Sequence, residues 1–145
     1  MARTSTYLNF ARHTEEAFLF YKKVFGTEFS GPPQRLGEVP LMEGQPQIAE
    51  SDQRLIMHIE LPILGGHVLM GTDAPESMGF TLHSGNNVYL NLEPDTLAEG
   101  ERLFQVLSEG GQVKEALQKR FWGAWYGSLT DRFGIHWMVN CPVEG

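Results

Sequence analysis

Glu16-Ala17-Phe18-Leu19-Phe20-Tyr21-Lys22-Lys23-Val24-Phe25-Gly26 is the stretch on which the fold turns. Ala17, Phe20, Tyr21 and Val24 recur at helical spacing and form one apolar stripe. Thr14 is placed to N-cap the helix, and Glu15 and Glu16 occupy the first turn, where the helix dipole favours negative charge. Lys22 and Lys23 lie near the negative end, and Gly26 suits the C′ position. The spacing predicts a helix over residues 14–25.

Outward from this helix, residues 6–11 read as a strand before it. A second strand starts at residues 28–30. Residues 31–50 are rich in Gly, Pro and Gln and read as a long irregular loop, a candidate lid or partner-contact segment. Residues 55–61 and 68–72 read as two strands joined by a turn at Gly65 and Gly66. Residues 74–86 lack periodicity and connect two halves. The order then repeats: a strand over 87–92, a helix over 95–108 with Leu97, Phe104 and Leu107 among its apolar positions, and strands over 113–116, 125–130 and 135–140. Asp131-Arg132-Phe133-Gly134 has turn chemistry, and Asp131 reads as an Asx-type cap rather than a general base. The chain is strand, helix, three strands, twice. The expected architecture is α+β: two βαβββ modules (1–73 with its loop, and 87–145) joining in one curved mixed sheet with helices outside. Each half alone is near the size limit for a stable core.

Bulk properties narrow the function. The 145 residues are 41% hydrophobic and 20% charged, which supports a packed core. A formal net charge of −7 argues against a nucleic-acid binder and an anionic membrane surface. The single cysteine, Cys141, allows no internal disulfide and reads as a small buried hydrophobe. Neither a signal-type apolar run at the start nor a stretch of membrane-spanning length is present, so a cytoplasmic location is expected.

The quoted helix resembles the opening motif of the vicinal oxygen chelate (glyoxalase/bleomycin resistance/dioxygenase) superfamily. Tyr7-Leu8-Asn9-Phe10, Val68-Leu69-Met70-Gly71-Thr72-Asp73 and the set Trp122-Gly123, Tyr126-Gly127, Asp131-Arg132-Phe133-Gly134 and Trp137 resemble its PhnB-like (demethylubiquinone methyltransferase-like) branch. The likeness spans nearly the whole chain in order. A methyltransferase activity finds no support, because no glycine-rich strand-to-helix loop is present to hold an adenosyl cofactor.

The resemblance implies metal ligands on the first and last strands of each half. Those positions fall at Thr6, at Leu69 or Met70, at Asn87 and at Met138, and none is a histidine or carboxylate. Such a set suits a divalent ion poorly, so neither metal nor other cofactor is expected. Of the five histidines, His58 and His136 could join Glu60 in a relocated set.

Strand parity places Asn87, Tyr89 and Asn91 on one face of their strand, and His136, Met138 and Asn140 on one face of the last. These faces are expected to line a concave, polar, uncharged cup, with Trp122, Trp125 and Tyr126 as an aromatic wall. The candidate ligand residues are therefore His58, Asn87, Tyr89, Asn91, Trp122, Trp125, Tyr126, His136 and Met138. Arg54 and Arg120 are candidate anion clamps, with solvated surface positions as the competing reading. Three functions are open: a protein that binds a small organic ligand without a metal; a metal-dependent lyase, isomerase or dioxygenase of the same superfamily; and an interaction protein whose cup is filled by its own side chains. The resemblance also implies a homodimer.

Overall fold

The computed structural model describes residues 2–40, 43–44 and 47–142. Part of the expected lid at 31–50 lies outside the described residues. The chain divides into two compact units, Met1–His83 and Ser84–Gly145.

In the first unit, β1 (Thr6–Phe10) leads to α1 (Thr14–Phe25), then β2 (Gln34–Arg35), β3 (Ile56–Pro62) and β4 (Val68–Asp73). The sheet order is β1-β4-β3-β2, with β1 parallel to β4 and the other pairs antiparallel. The second unit repeats the plan with β5 (Leu90–Leu92), α2 (Leu97–Ser108), β6 (Gln112–Lys119), β7 (Trp125–Thr130) and β8 (His136–Cys141), in the order β5-β8-β7-β6. The α+β class and the doubled strand–helix–three-strand order are as read from the sequence.

Each helix covers one face of its own sheet. α1 buries Thr14, Ala17, Phe18, Tyr21 and Val24, so Phe18 rather than Phe20 completes the stripe. Phe18 lies over Gly71 of β4, where an added Cβ would come within 2.5 Å of its ring. Phe10, Ile59, Leu61 and Leu69 close the same layer, each nearly or fully buried. Burial of each such side chain contributes about 1.5–3 kcal/mol. α2 buries Gly100, Leu103 and Leu107 against Leu129, Trp137, Val139 and Cys141. Cys141 is the small buried hydrophobe expected, and burial pushes its thiol pKa up.

Several local readings are corrected. Thr14 is not the N-cap; His13 holds that position, and Thr14 donates its backbone N–H and its hydroxyl to Asp73 at 3.0 and 2.8 Å. A carboxylate on the neighbouring strand out-competes the local hydroxyl because it accepts both donors at once, and it also takes the Ile56 N–H at 2.8 Å. The second helix starts at Leu97 rather than residue 95, because the Thr96 hydroxyl accepts from Glu99 N at 3.2 Å and caps it there. Residues 28–30 form no strand; Ser30 N donates to Glu60 O of β3, and β2 forms later, inside the stretch read as loop. The strand read over 87–92 is confined to Leu90–Leu92, and that read over 113–116 extends over Gln112–Lys119.

Arg12 at the β1–α1 junction ties two connections together. It donates to Asp52 at 2.7 Å and to Glu76 at 3.0 Å, while Ser77 donates to the other oxygen of Asp52. The Ser77 hydroxyl and the Arg12 guanidinium hold the Asp52 carboxyl below its ordinary range.

Candidate functional site

The face of each sheet opposite its helix carries the polar side chains. In the second unit the register sets Tyr126 beside Asn140, Ser128 beside Met138, Thr130 beside His136 and Asn91 beside Met138. Helix-facing Leu92, Leu129, Trp137 and Val139 are buried, whereas His136, Met138 and Asn140 are half-buried and Asn91 is exposed. The open face is thus the polar, largely uncharged and partly aromatic surface that strand parity predicts.

Its members hold one another in place. The His136 ring lies 5.1 Å from the Tyr89 ring. Its Nε2 reaches the Gly85 carbonyl at 2.7 Å and its Nδ1 the Thr130 hydroxyl at 2.8 Å. A carbonyl only accepts, so Nε2 carries the proton and Nδ1 accepts from Thr130 in the neutral ring. Asn140 donates to Asn91 across the β5–β8 pair. Burial raises the Tyr126 pKa, opposed by its hydrogen bond with Ser128 and reinforced by the neighbouring Glu115 carboxylate.

The expected aromatic wall is only partly assembled. Trp122 sits edge-on to Tyr126 at 6.3 Å and to Phe121 at 4.9 Å, in the exposed turn between β6 and β7. Trp125 pairs with Cys141, which places it on the α2 side of β7, away from Tyr126. Adjacent strand residues point to opposite faces, so Trp125 and Tyr126 cannot line one surface together. Asn87 precedes β5 and is exposed, so it does not share the strand face with Asn91. Arg120 is no free clamp: its guanidinium lies 5.4 Å from the Tyr126 ring and donates to the carbonyls of Ala116 and Tyr126 at 3.0 and 3.2 Å. Arg54 is exposed.

In the first unit the open face carries Tyr7 and Asn9 of β1, Met70 and Thr72 of β4, and His58 and Glu60 of β3. His58 Nε2 and Glu60 Oε1 are 3.0 Å apart, and the Tyr7 ring lies 6.0 Å from the imidazole. A cleft of about 200 Å³ opens beside them, lined by Ser30, Gly31, Pro32, Gln34, His58, Ile59 and Glu60. Sequence reading found His58 but not Tyr7, Ser30 or Gln34. The β2–β3 pairing that sets Gln34 opposite His58 leaves no mark in a two-residue strand.

No family model matches the chain. It is 30% identical over 141 residues to Protein YjdN of Escherichia coli, covering 94% of this chain and 92% of that one. A solved structure, protein PA1353 from Pseudomonas aeruginosa, is 33% identical and superposes with a TM-score of 0.81 over 98% of both chains. The PhnB protein from Bacillus cereus shares the fold at 23% identity and a TM-score of 0.72, covering 97% of this chain and 99% of that one. A glyoxalase/bleomycin resistance protein/dioxygenase family enzyme from Burkholderia phytofirmans does so at 20% identity and 0.60, covering 96% and 98%. The chain belongs to one family with Protein YjdN and has the glyoxalase/bleomycin resistance fold.

The superfamily's metal finds no matching donors here. Thr6 and Leu69 pair on the helix side of the ladder, so the open-face positions on the first and fourth strands belong to Tyr7 and Asn9 and to Met70 and Thr72. The matching positions in the second unit are Asn91, Met138 and Asn140, with His136, whose two nitrogens are both engaged. Phenol, amide, thioether and hydroxyl groups do not make a site for a divalent ion. Among the described residues no group of three or more His, Cys, Asp or Glu side chains is placed to hold a metal ion.

Proposed function

We propose that this protein binds a small organic ligand on the open faces of its sheets and does so without a metal. The observation that carries the reading is the pre-arranged polar and aromatic face of the second unit: Tyr89 tilted against His136, the Asn91–Asn140 amide pair, Met138, and Tyr126 with Arg120 over its ring. Rings supply stacking area and a few fixed polar groups supply orientation, which is the usual make-up of a ligand-binding surface. The neighbours share the fold in which this face is built. A homodimer in the cytoplasm is part of the same proposal, supported by the family resemblance, and light scattering coupled to gel filtration tests the dimer.

The binding test is a thermal-shift screen with small uncharged aromatic and hydroxylated compounds, run in the presence of a chelator. At least one compound raises the melting temperature of the wild type, and the rise is lost in Tyr126→Ala. A screen in which every stabiliser acts equally on both proteins refutes the assignment.

A further inference from the structure

His58 and Glu60 stand two residues apart on β3, so both side chains leave the same face of the strand. Each is about one-quarter to one-third exposed, at 30% and 26%. One ring nitrogen of His58, Nε2, is committed to Glu60. A carboxylate accepts only, so in the neutral imidazole Nε2 carries the hydrogen and Nδ1 presents a lone pair. Among the described residues no hydrogen bond engages Nδ1. A histidine whose one nitrogen is anchored by a carboxylate, and whose other nitrogen has no hydrogen bond among the described residues, is arranged to accept a proton, with the carboxylate beside the imidazolium that results.

The surroundings make a receptacle for the molecule that gives up the proton. Ser30 and Gln34 add a hydroxyl and an amide to the cleft wall, and Pro32 adds apolar surface. Two contacts hold the wall against the strand: Ser30 N donates to Glu60 O at 3.1 Å, and Gln34 pairs with His58 across β2 and β3. Tyr7 of β1 flanks the imidazole. Among the described residues the Arg3 guanidinium lies 3.8 Å from Glu60. The volume, about 200 Å³, is below the roughly 300–1,000 Å³ of sites for drug-sized molecules, and suits a single ring.

We propose that the His58–Glu60 dyad takes a small hydroxylated weak acid, a phenol or an enol, and accepts its proton. The O–H bond breaks, its electron pair stays on oxygen, a new N–H bond forms at Nδ1, and Glu60 pairs with the imidazolium. This goes beyond ligand binding on the second unit's face, and the two fail separately: Tyr126→Ala tests that face, and His58→Gln tests the dyad.

The probe is 4-nitrophenol, whose yellow phenolate is distinguished from its colourless phenol by absorbance. At a pH where the free probe is mostly protonated, the wild type raises the phenolate fraction on binding. Glu60→Gln weakens binding by about tenfold, as loss of a charge-assisted hydrogen bond predicts, and His58→Gln abolishes the phenolate signal. ¹⁵N spectra of the wild type report the Nδ1 proton independently, so the test survives if a variant misfolds. A probe that fails to bind, that binds only as the phenol, or that ionises equally in His58→Gln overturns the proposal, as does an Nδ1 that stays unprotonated in the complex.

Discussion

Replacing Asp131 by asparagine tests how the end of the second unit's sheet is held together. Asp131 is 3% exposed. Its Oδ1 accepts from Phe133 N at 2.8 Å and Ile135 N at 3.0 Å, and its Oδ2 accepts from the Nε1–H of the fully buried Trp137 at 2.9 Å. An asparagine keeps one oxygen for the two backbone donors but turns an NH₂ group toward the indole N–H, so a buried donor meets a donor. An orphaned buried donor costs about 1–3 kcal/mol, and loss of charge on the remaining bonds adds to it, for a total of about 2–4 kcal/mol. For a chain of this size that is a fall in melting temperature of about 4–16 °C. In a Trp137→Phe background the indole donor is gone, and the same substitution costs less by about 1–2 kcal/mol. Urea unfolding followed by far-ultraviolet circular dichroism, on the two single variants and the double, gives the coupling directly. Additivity within about 0.5 kcal/mol would refute the reasoning.

Three further outcomes follow from other parts of the structure. Gly100→Ala places a Cβ 2.1 Å from the Cys141 sulfur and destabilises by about 1–3 kcal/mol, and adding Cys141→Ala recovers part of the loss; no recovery in denaturant melts would show that the strain lies elsewhere. The folded-state pKa of Asp52 is depressed, so its stabilisation is present above the ordinary carboxylate value of about 3.9 and disappears as pH falls through the lower folded value. Melting temperature against pH therefore declines less steeply on the acid side in Asp52→Asn, and parallel curves would contradict the Arg12–Asp52–Ser77 arrangement. Titration of tag-free protein with Ni²⁺, Zn²⁺, Mn²⁺ or Fe²⁺ leaves the melting temperature unchanged, whereas a shift saturating near one equivalent would restore metal-dependent chemistry.

The doubled order of elements was legible because helical and strand periodicities are local and strong. α1 over Thr14–Phe25 and β7 over Trp125–Thr130 stand where the spacing predicts. Asp131 was read as an Asx-type cap from the Asp-Arg-Phe-Gly turn alone, and both backbone bonds are present. Other features depended on partners far along the chain. Thr14 looked like a cap because Asp73, 59 residues on, is invisible to local reading. Thr6 was set on the wrong face because strand parity fixes which residues share a side, not which side meets the helix; that follows only from the Leu8 and Gly71 pairing beneath Phe18. Trp125 and Tyr126 were grouped by proximity in sequence, although alternation alone separates them. The polar face of β8 was readable from its parity, but the Thr130 and Gly85 contacts that fix the His136 ring were not.

Occupancy of the second unit's open sheet face by an organic ligand can be read residue by residue. The most direct test is a ¹H–¹⁵N chemical-shift map of the protein, with side-chain amides included, titrated with the strongest compound from the chelator-containing screen. Saturable shifts are expected to concentrate at Tyr89, Asn91, Tyr126, His136 and Asn140, with the Asn91 and Asn140 amide groups among the largest. Shifts confined to the outer surfaces of α1 and α2, with this face unmoved at saturation, would contradict it.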